Sequence, residues 1–485
     1  MSPRQARLTV VAAVLGSITV FVDATVVNVA LPAISDDLGA GLAGQQWLSG
    51  AYLLTLGSLL LVGGSLGDRY GRREMFIAGL VAFAVTSLLC AAAPTVGTLV
   101  AARALQGAAG ALLVPNTLGL IVARFPVDAR GAAIGSWTAW SGIAMIAGPL
   151  VGGVLVDEVS WRWVFAINVV PVAAALTVVA GVDREHDGGG TGRVDLIGAL
   201  LGTLGLAGPV FALIEQPARG WDDPLILGTL IGGLALLAAF VVVERRLLHP
   251  MLPLGLFAQR NFAVGNASTL AVYGGLGAVP FFLVLYLQQV AGYSALQAGL
   301  ASTPVTLLMF ALSRRFGALA DRIGPRVFMG AGPVVAGAGI ALFARIDPEG
   351  RYLADVLPAV LLFGFGLSLT VAPLTATVLG GVDERNAGMA SAINNAVARI
   401  GSLLAVAAIG ALVAERLGGG DPSFATVGAD AATDAFRFAM LVTGALVAVG
   451  GLLSAAGIEN PQREVPCAEH APGATVGPTV ARERA

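Results

Sequence analysis

A single carboxylate lies deep inside an apolar run of this chain: Asp23, in the stretch Leu8 to Leu31. Counted from Val10 at about 1.5 Å per residue, it sits ~20 Å into a hydrocarbon core about 30 Å thick. Burial disfavours the charged form of a carboxyl and a nearby cation favours it, so such a group can take up and release a proton. Arg103 lies in another apolar run, which begins near Thr98 and crosses in the opposite sense. Both residues fall about 10 Å from the same edge, a depth that allows a direct or water-mediated pair. Gln106 follows Arg103 by three residues and Gly110 follows Gln106 by four, so all three share one helix face. Ionisable groups in such places are functional by default, and proton coupling is the chemistry these two would carry. A structural hydrogen-bonded acid is the alternative. Arg399, preceded by Asn394 and Asn395, has similar depth and reads either as a substrate or gating residue or as a packing arginine bonded to carbonyls.

These residues need membrane spans to position them. The chain of 485 residues is 56% hydrophobic and 12% charged, about half the charge of a soluble domain. Apolar runs of about 20 residues recur from end to end and predict about fourteen helices. All 28 basic residues are arginine; 20 fall on the side of the N-terminus, 6 on the other and 2 within spans. The positive-inside rule then puts both termini in the cytoplasm. Net charge is −2, which gives no attraction to nucleic acid. Cys90 and Cys467 form no disulfide framework or metal site, and His186, His249 and His470 are scattered. There is no phosphate-binding loop. Neither a metal, a cofactor nor an enzymatic site is expected.

An internal repeat organises the spans. Gly64, Asp68, Arg69, Gly71 and Arg73 in the loop after the second span recur as Gly317, Asp321, Arg322, Gly324 and Arg326, at an offset of 253. The segment from Val127 recurs from Val382 at an offset of 255. Parallel repeats of this kind are a transporter feature. The expected division is a six-helix bundle over 1–182, a linker over 183–195, two inserted helices over 196–243, a second six-helix bundle over 244–457 and a disordered tail over 458–485.

With these motifs in place, the sequence resembles the major facilitator superfamily, in its fourteen-span drug:proton antiporter branch of the EmrB/QacA type. The resemblance rests on Gly64–Arg73, on Asp23 to Pro32 with Asn28, on Arg103 to Gly110, and on Gly142, Gly148, Pro149, Gly152 and Gly153 in the fifth span. It covers about Leu8 to Ala456. It implies an all-α multi-pass major facilitator fold, two six-helix bundles plus two inserted helices. The implied activity is proton-driven export of a lipophilic small molecule, a drug or antibiotic, from the inner membrane by a monomer. Export of an endogenous lipid or natural product, and proton-coupled uptake, are the alternatives. The resemblance makes Asp68, Arg69, Arg72, Arg73, Asp321 and Arg322 a conformational latch, and it makes the glycines around Pro149 a seal of the extracellular half. Pro149 has Leu404 at its repeat position, so the Gly-Pro element exists in one half only. Asn28, Trp47, Tyr52, Gln106, Asn266, Tyr273, Gln288, Gln289 and Arg399 are the candidate cavity lining.

Overall fold

The structure is a computed structural model that describes residues 2–183, 194–247, 250–380, 382–383 and 386–460. Most of the expected linker and tail, with His249, Arg385 and Cys467, lies outside the described residues. Fourteen helices among them are long and apolar enough to cross a membrane. They are α1 (Pro3–Leu38), α2 (Leu42–Tyr70), α3 (Arg72–Ala91), α4 (Val96–Arg124), α5 (Ala129–Glu158), α6 (Arg162–Ala180) and α7 (Leu196–Arg219). The remainder are α8 (Pro224–Arg246), α9 (Arg260–Gln289), α10 (Ala295–Ile323), α11 (Pro325–Arg345), α12 (Tyr352–Gly380), α13 (Ala387–Arg416) and α14 (Ala429–Gly457). The protein is an all-helical, multi-pass membrane protein.

Several helices outrun the apolar segments that mark them. α1 begins at Pro3, where Ser2 caps its amides, and α10 runs on to Ile323 through Arg314, Arg315 and Arg322. Polar residues past the hydrocarbon core continue a helix without interruption, since only its centre needs an apolar surface. α6 behaves in the opposite way. It splits into Arg162–Ala166 and Val169–Ala180, with Ile167 and Asn168 in a turn between them. Pro171 has no N–H to give the Ile167 carbonyl, which loosens the ladder there.

Packing repeats along the chain. α1 packs on α5, α2 on α4 and α3 on α4; in turn α9 packs on α13, α10 on α12 and α11 on α12. The loop motif is folded alike in both copies. Gly71 (φ 97°) ends α2 and opens α3, and Gly324 (φ 107°) ends α10 and opens α11. Only glycine takes that backbone conformation without strain. Arg73, beside the first, donates to the carbonyls of Val182 (2.9 Å) and Val179 (3.1 Å). Arg326, beside the second, donates to the carbonyl of Ala455 (2.7 Å). In each case a guanidinium bonds to carbonyls at the end of the sixth helix of the half.

The two halves meet through α2 on α13, α5 on α10 and α1 on α9. α7 and α8 form a hairpin whose α7 rests on both α2 and α13. Trp47 of α2 donates to Glu215 of α7 (2.9 Å), while Gln216 donates to Glu415 of α13 (3.2 Å) and Gly420 donates to the carbonyl of Pro217 (2.8 Å).

Candidate functional site

Donors from α4 and α6 converge on Asp23 of α1. Its side chain is fully buried, and three donors reach it: Arg103 Nη1 to Oδ2 (2.7 Å), and Gln106 Nε2 and Asn168 Nδ2 to Oδ1 (2.9 Å each). Ser87 of α3 accepts from Gln106 (2.8 Å), tying the cluster to a further helix. Arg103 also donates to Gln106 Oε1 (2.5 Å) and, through Nε, to the Leu48 carbonyl (3.2 Å). Its guanidinium lies 4.3 Å from the centre of the Tyr52 ring. Charge-assisted hydrogen bonds of this kind are about twice as strong as neutral ones, and the low dielectric raises the cost of losing any one of them.

The pair that depth alone allows is therefore direct. Asn168 and Ser87 belong to the same cluster although the sequence gives neither a role in it. Asparagine in a run broken by Pro171 is the signal that points to Asn168; Ser87 carries none, because serine is common in membrane helices.

Close helix approach makes the cluster possible. A Cβ on Gly107 would stand 2.3 Å from the Tyr52 carbonyl oxygen, and one on Gly63 would stand 1.9 Å from that of Ala111. α2 and α4 thus touch backbone to backbone from the level of the buried charges toward the side of the termini. Such contacts replace the hydrophobic drive that lipid does not supply between helices.

A cavity of about 310 Å³ lies on the side of the termini, between α1, α2, α4, α5 and α13. Asp68 and Arg72 stand at one end and are bonded to each other (2.9 Å); Arg72 also donates to the Gly119 carbonyl (3.0 Å). Arg399, Asn395, Asn116 and Trp137 border it further in.

The opposite side is closed. Gln288 of α9 donates to the Val29 carbonyl of α1 (3.0 Å), and Gln46 of α2 donates to the Val406 carbonyl of α13 (2.8 Å). Asp157, at the end of α5, accepts from the Ala295 and Leu296 amides that begin α10 (2.9 Å each). Asp421, just past α13, accepts from the Ala43 amide that begins α2 (2.8 Å). The two recipients, Leu42–Ala43 and Ala295–Leu296, are 253 residues apart, so each half caps the corresponding helix of the other. Gly148 and Gly152 bring α5 close to α1, and Gly153 brings it close to α10. A Cβ on Gly148 would stand 2.0 Å from Thr25 Oγ1, and one on Gly153 would stand 2.4 Å from the Leu296 Cα. Gly142 packs on Phe310, and Gly299 packs on Pro149.

Of the nine residues expected to line the cavity, Arg399 borders it and the other eight do not. Tyr52 and Gln106 are buried in the Asp23 cluster instead, Trp47 turns to α7, and Gln288 joins α9 to α1. Asn266 accepts from Asn394 (3.2 Å) inside the second half, and Tyr273 is partly buried there, its carbonyl accepting from Ser402 (2.7 Å). Asn28 is half-buried, and the amide of Gln289 is buried without a partner among the described residues. The reason is rotational: with the far side shut, a polar residue there packs against a neighbouring helix rather than an open space. Asp321 and Arg322 are exposed at the second loop, and Gly64 and Arg69 lie at the end of α2 on the same side.

Comparison with known proteins places the chain. It is 38% identical to the puromycin resistance protein pur8 of Streptomyces alboniger, over 80% of this chain and 78% of that one. It is 34% identical to the tetracenomycin C resistance and export protein of Streptomyces glaucescens, over 84% and 76%. In fold it is similar to an auto-inhibited peptide transporter of the POT family (TM-score 0.70, 15% identity, 96% of this chain and 99% of that one). Residues 13–406 and 267–480 both match the description Major Facilitator Superfamily, and together with the repeated packing of six helices this chain belongs to that superfamily.

Proposed function

We propose that the protein exports lipophilic small molecules, antibiotics among them, across the cytoplasmic membrane in exchange for protons, with both termini in the cytoplasm. The resistance and export functions named for its relatives support the substrate class. The observation that carries the mechanism is the isolation of Asp23. A carboxylate that is fully buried, bonded to an arginine of another helix and outside the cavity lining ties its charge to helix position rather than to a drug.

In this reading the cavity, open toward the side rich in arginine, admits substrate from the cytoplasm. The two halves, residues 1–182 and 244–457, rock about it as a monomer while the hairpin over 196–243 stays in lipid. Protonation neutralises Asp23 and weakens its hold on Arg103, which frees α1 and α4 to shift. Return to the closed state re-forms the pair and releases the proton inward. One proton crossing ~150 mV supplies about 3.4 kcal/mol, enough for a roughly 300-fold gradient of a neutral solute. Asp68, Arg69, Arg72 and Arg73, with Asp321 and Arg322, hold the cytoplasmic ends of the helices in register as the halves move.

The test is a drug panel. Cells expressing the chain should tolerate several lipophilic antibiotics better than cells with empty vector, and an uncoupler should restore drug accumulation. Equal accumulation with and without the uncoupler removes proton coupling.

A further inference from the structure

Arg399 projects from α13 at the border of the cavity and is half-buried. Among the described residues its guanidinium has neither a hydrogen-bond acceptor nor an ion-pair partner. The two other charges in the cavity wall, Asp68 and Arg72, neutralise each other at 2.9 Å. Asp23 is no help, because it is enclosed elsewhere by Arg103, Gln106 and Asn168. The wall therefore carries one uncompensated positive charge. A half-buried cation within a membrane is costly unless something faces it.

The neutral polar groups are mostly engaged. Asn116 donates to the carbonyls of Gly63 and Leu112, and Trp137 donates to Ser17. Asn395, one helical turn before Arg399 and on the same face, has no side-chain hydrogen bond among the described residues. Arg399 and Asn395 together offer unused donors beside apolar wall from Val20, Phe21, Leu60 and Leu61. A planar guanidinium is matched to a carboxylate or an ionised phenol.

We infer that this cavity selects lipophilic monoanions, with Arg399 and Asn395 holding a carboxylate or phenolate oxygen and the apolar wall taking the body. The physiological meaning rests on the export reading; the binding does not. The full chain in lipid nanodiscs is titrated with 1-pyrenebutyrate, with neutral 1-pyrenebutanol and with a pyrenylbutyl ammonium, against empty discs, and quenching of tryptophan fluorescence is followed. The carboxylate should bind about tenfold more tightly than the alcohol, with the ammonium weakest. Arg399→Gln should bring carboxylate and alcohol within about twofold while leaving the alcohol unchanged, and Arg399→Lys should fall between. Asn395→Leu, a milder variant, should lower carboxylate binding alone. Equal binding of carboxylate and alcohol by the unaltered chain, tightest binding of the ammonium, or an unchanged ratio in Arg399→Gln each overturns the inference. Selective carboxylate binding by a chain that moves no drug keeps it and sinks the export reading instead.

Discussion

Arg103 reaches Asp23 through one nitrogen, Nη1 at 2.7 Å, while its Nε is held by the Leu48 carbonyl at 3.2 Å. The arginine is thus anchored to α2 whether or not it holds the acid, and the Asp23 contact is the part of the arrangement free to break. Gln106 and Asn168 crowd the other carboxylate oxygen at 2.9 Å each.

Asp23→Asn should abolish substrate-induced proton release in proteoliposomes while leaving drug binding within about threefold of the unaltered chain. Arg103→Ala leaves a buried carboxylate without its cation, a loss of about 3–5 kcal/mol, and should lower yield as well as transport. Arg103→Lys keeps the charge without the fork and should retain partial activity. Normal coupling in Asp23→Asn would move the proton site elsewhere. Glu215 and Asp355 are poor substitutes, since the first is held by Trp47 and the second faces Arg351 at 3.4 Å.

Asn168→Ala should cost about tenfold in proton-driven transport with little change in folded yield, as a hydrogen bond to a charged group is worth about 1.5–3 kcal/mol. The comparison to make is proton-driven uptake against substrate exchange at equal pH on both sides. If both fall together, Asn168 is a packing residue only.

The loop carries a separate expectation. Asp68→Asn weakens its bond to Arg72 and should slow turnover without changing the affinity for drug. Gly71→Ala and Gly324→Ala force residues with side chains into φ of 97° and 107°, and each should cost about 1–2 kcal/mol of thermal stability. Wild-type turnover by purified Asp68→Asn would reduce the loop to a topology signal.

On the closed side, Asp421→Ala and Asp157→Ala each remove a cap that joins the halves, worth about 0.5–2 kcal/mol. A cysteine introduced as Val29→Cys, with Cys90 and Cys467 replaced, should then react several-fold faster with an impermeant maleimide from outside. Asp421 uses one oxygen, so Asp421→Asn should behave as the unaltered chain. Asp157 uses both, and Asp157→Asn should be only partly rescued. Unchanged labelling in all four variants would make these acids loop anchors.

The spans were legible in the sequence because a lipid core demands about 20 apolar residues wherever a helix crosses it. The duplication was legible because Gly71 and Gly324 need a backbone that only glycine accepts, and their neighbours came with them. Asp23 and Arg103 could be matched because depth follows from counting residues. Rotation about a helix axis does not. It depends on where small residues let neighbours in, as at Gly57, whose Cβ would stand 3.2 Å from Cβ of Arg399. For that reason the sequence predicts Trp47, Tyr52 and Gln106 along a cavity whose wall they do not form, and gives Asn168 no role beside Asp23.

The hairpin of α7 and α8 has a mechanical consequence. Its α7 is bonded to Trp47 in one half and to Glu415 and Gly420 in the other, across the seam along which export by alternating access must open. A strip fastened to two sliding plates cannot travel with both. In every turnover it must flex, or let one set of bonds go and take it up again. The hairpin is then a spring set in parallel with the seam, loaded as the far side opens and recoiling to shut it, and its stiffness becomes part of how fast the cycle runs.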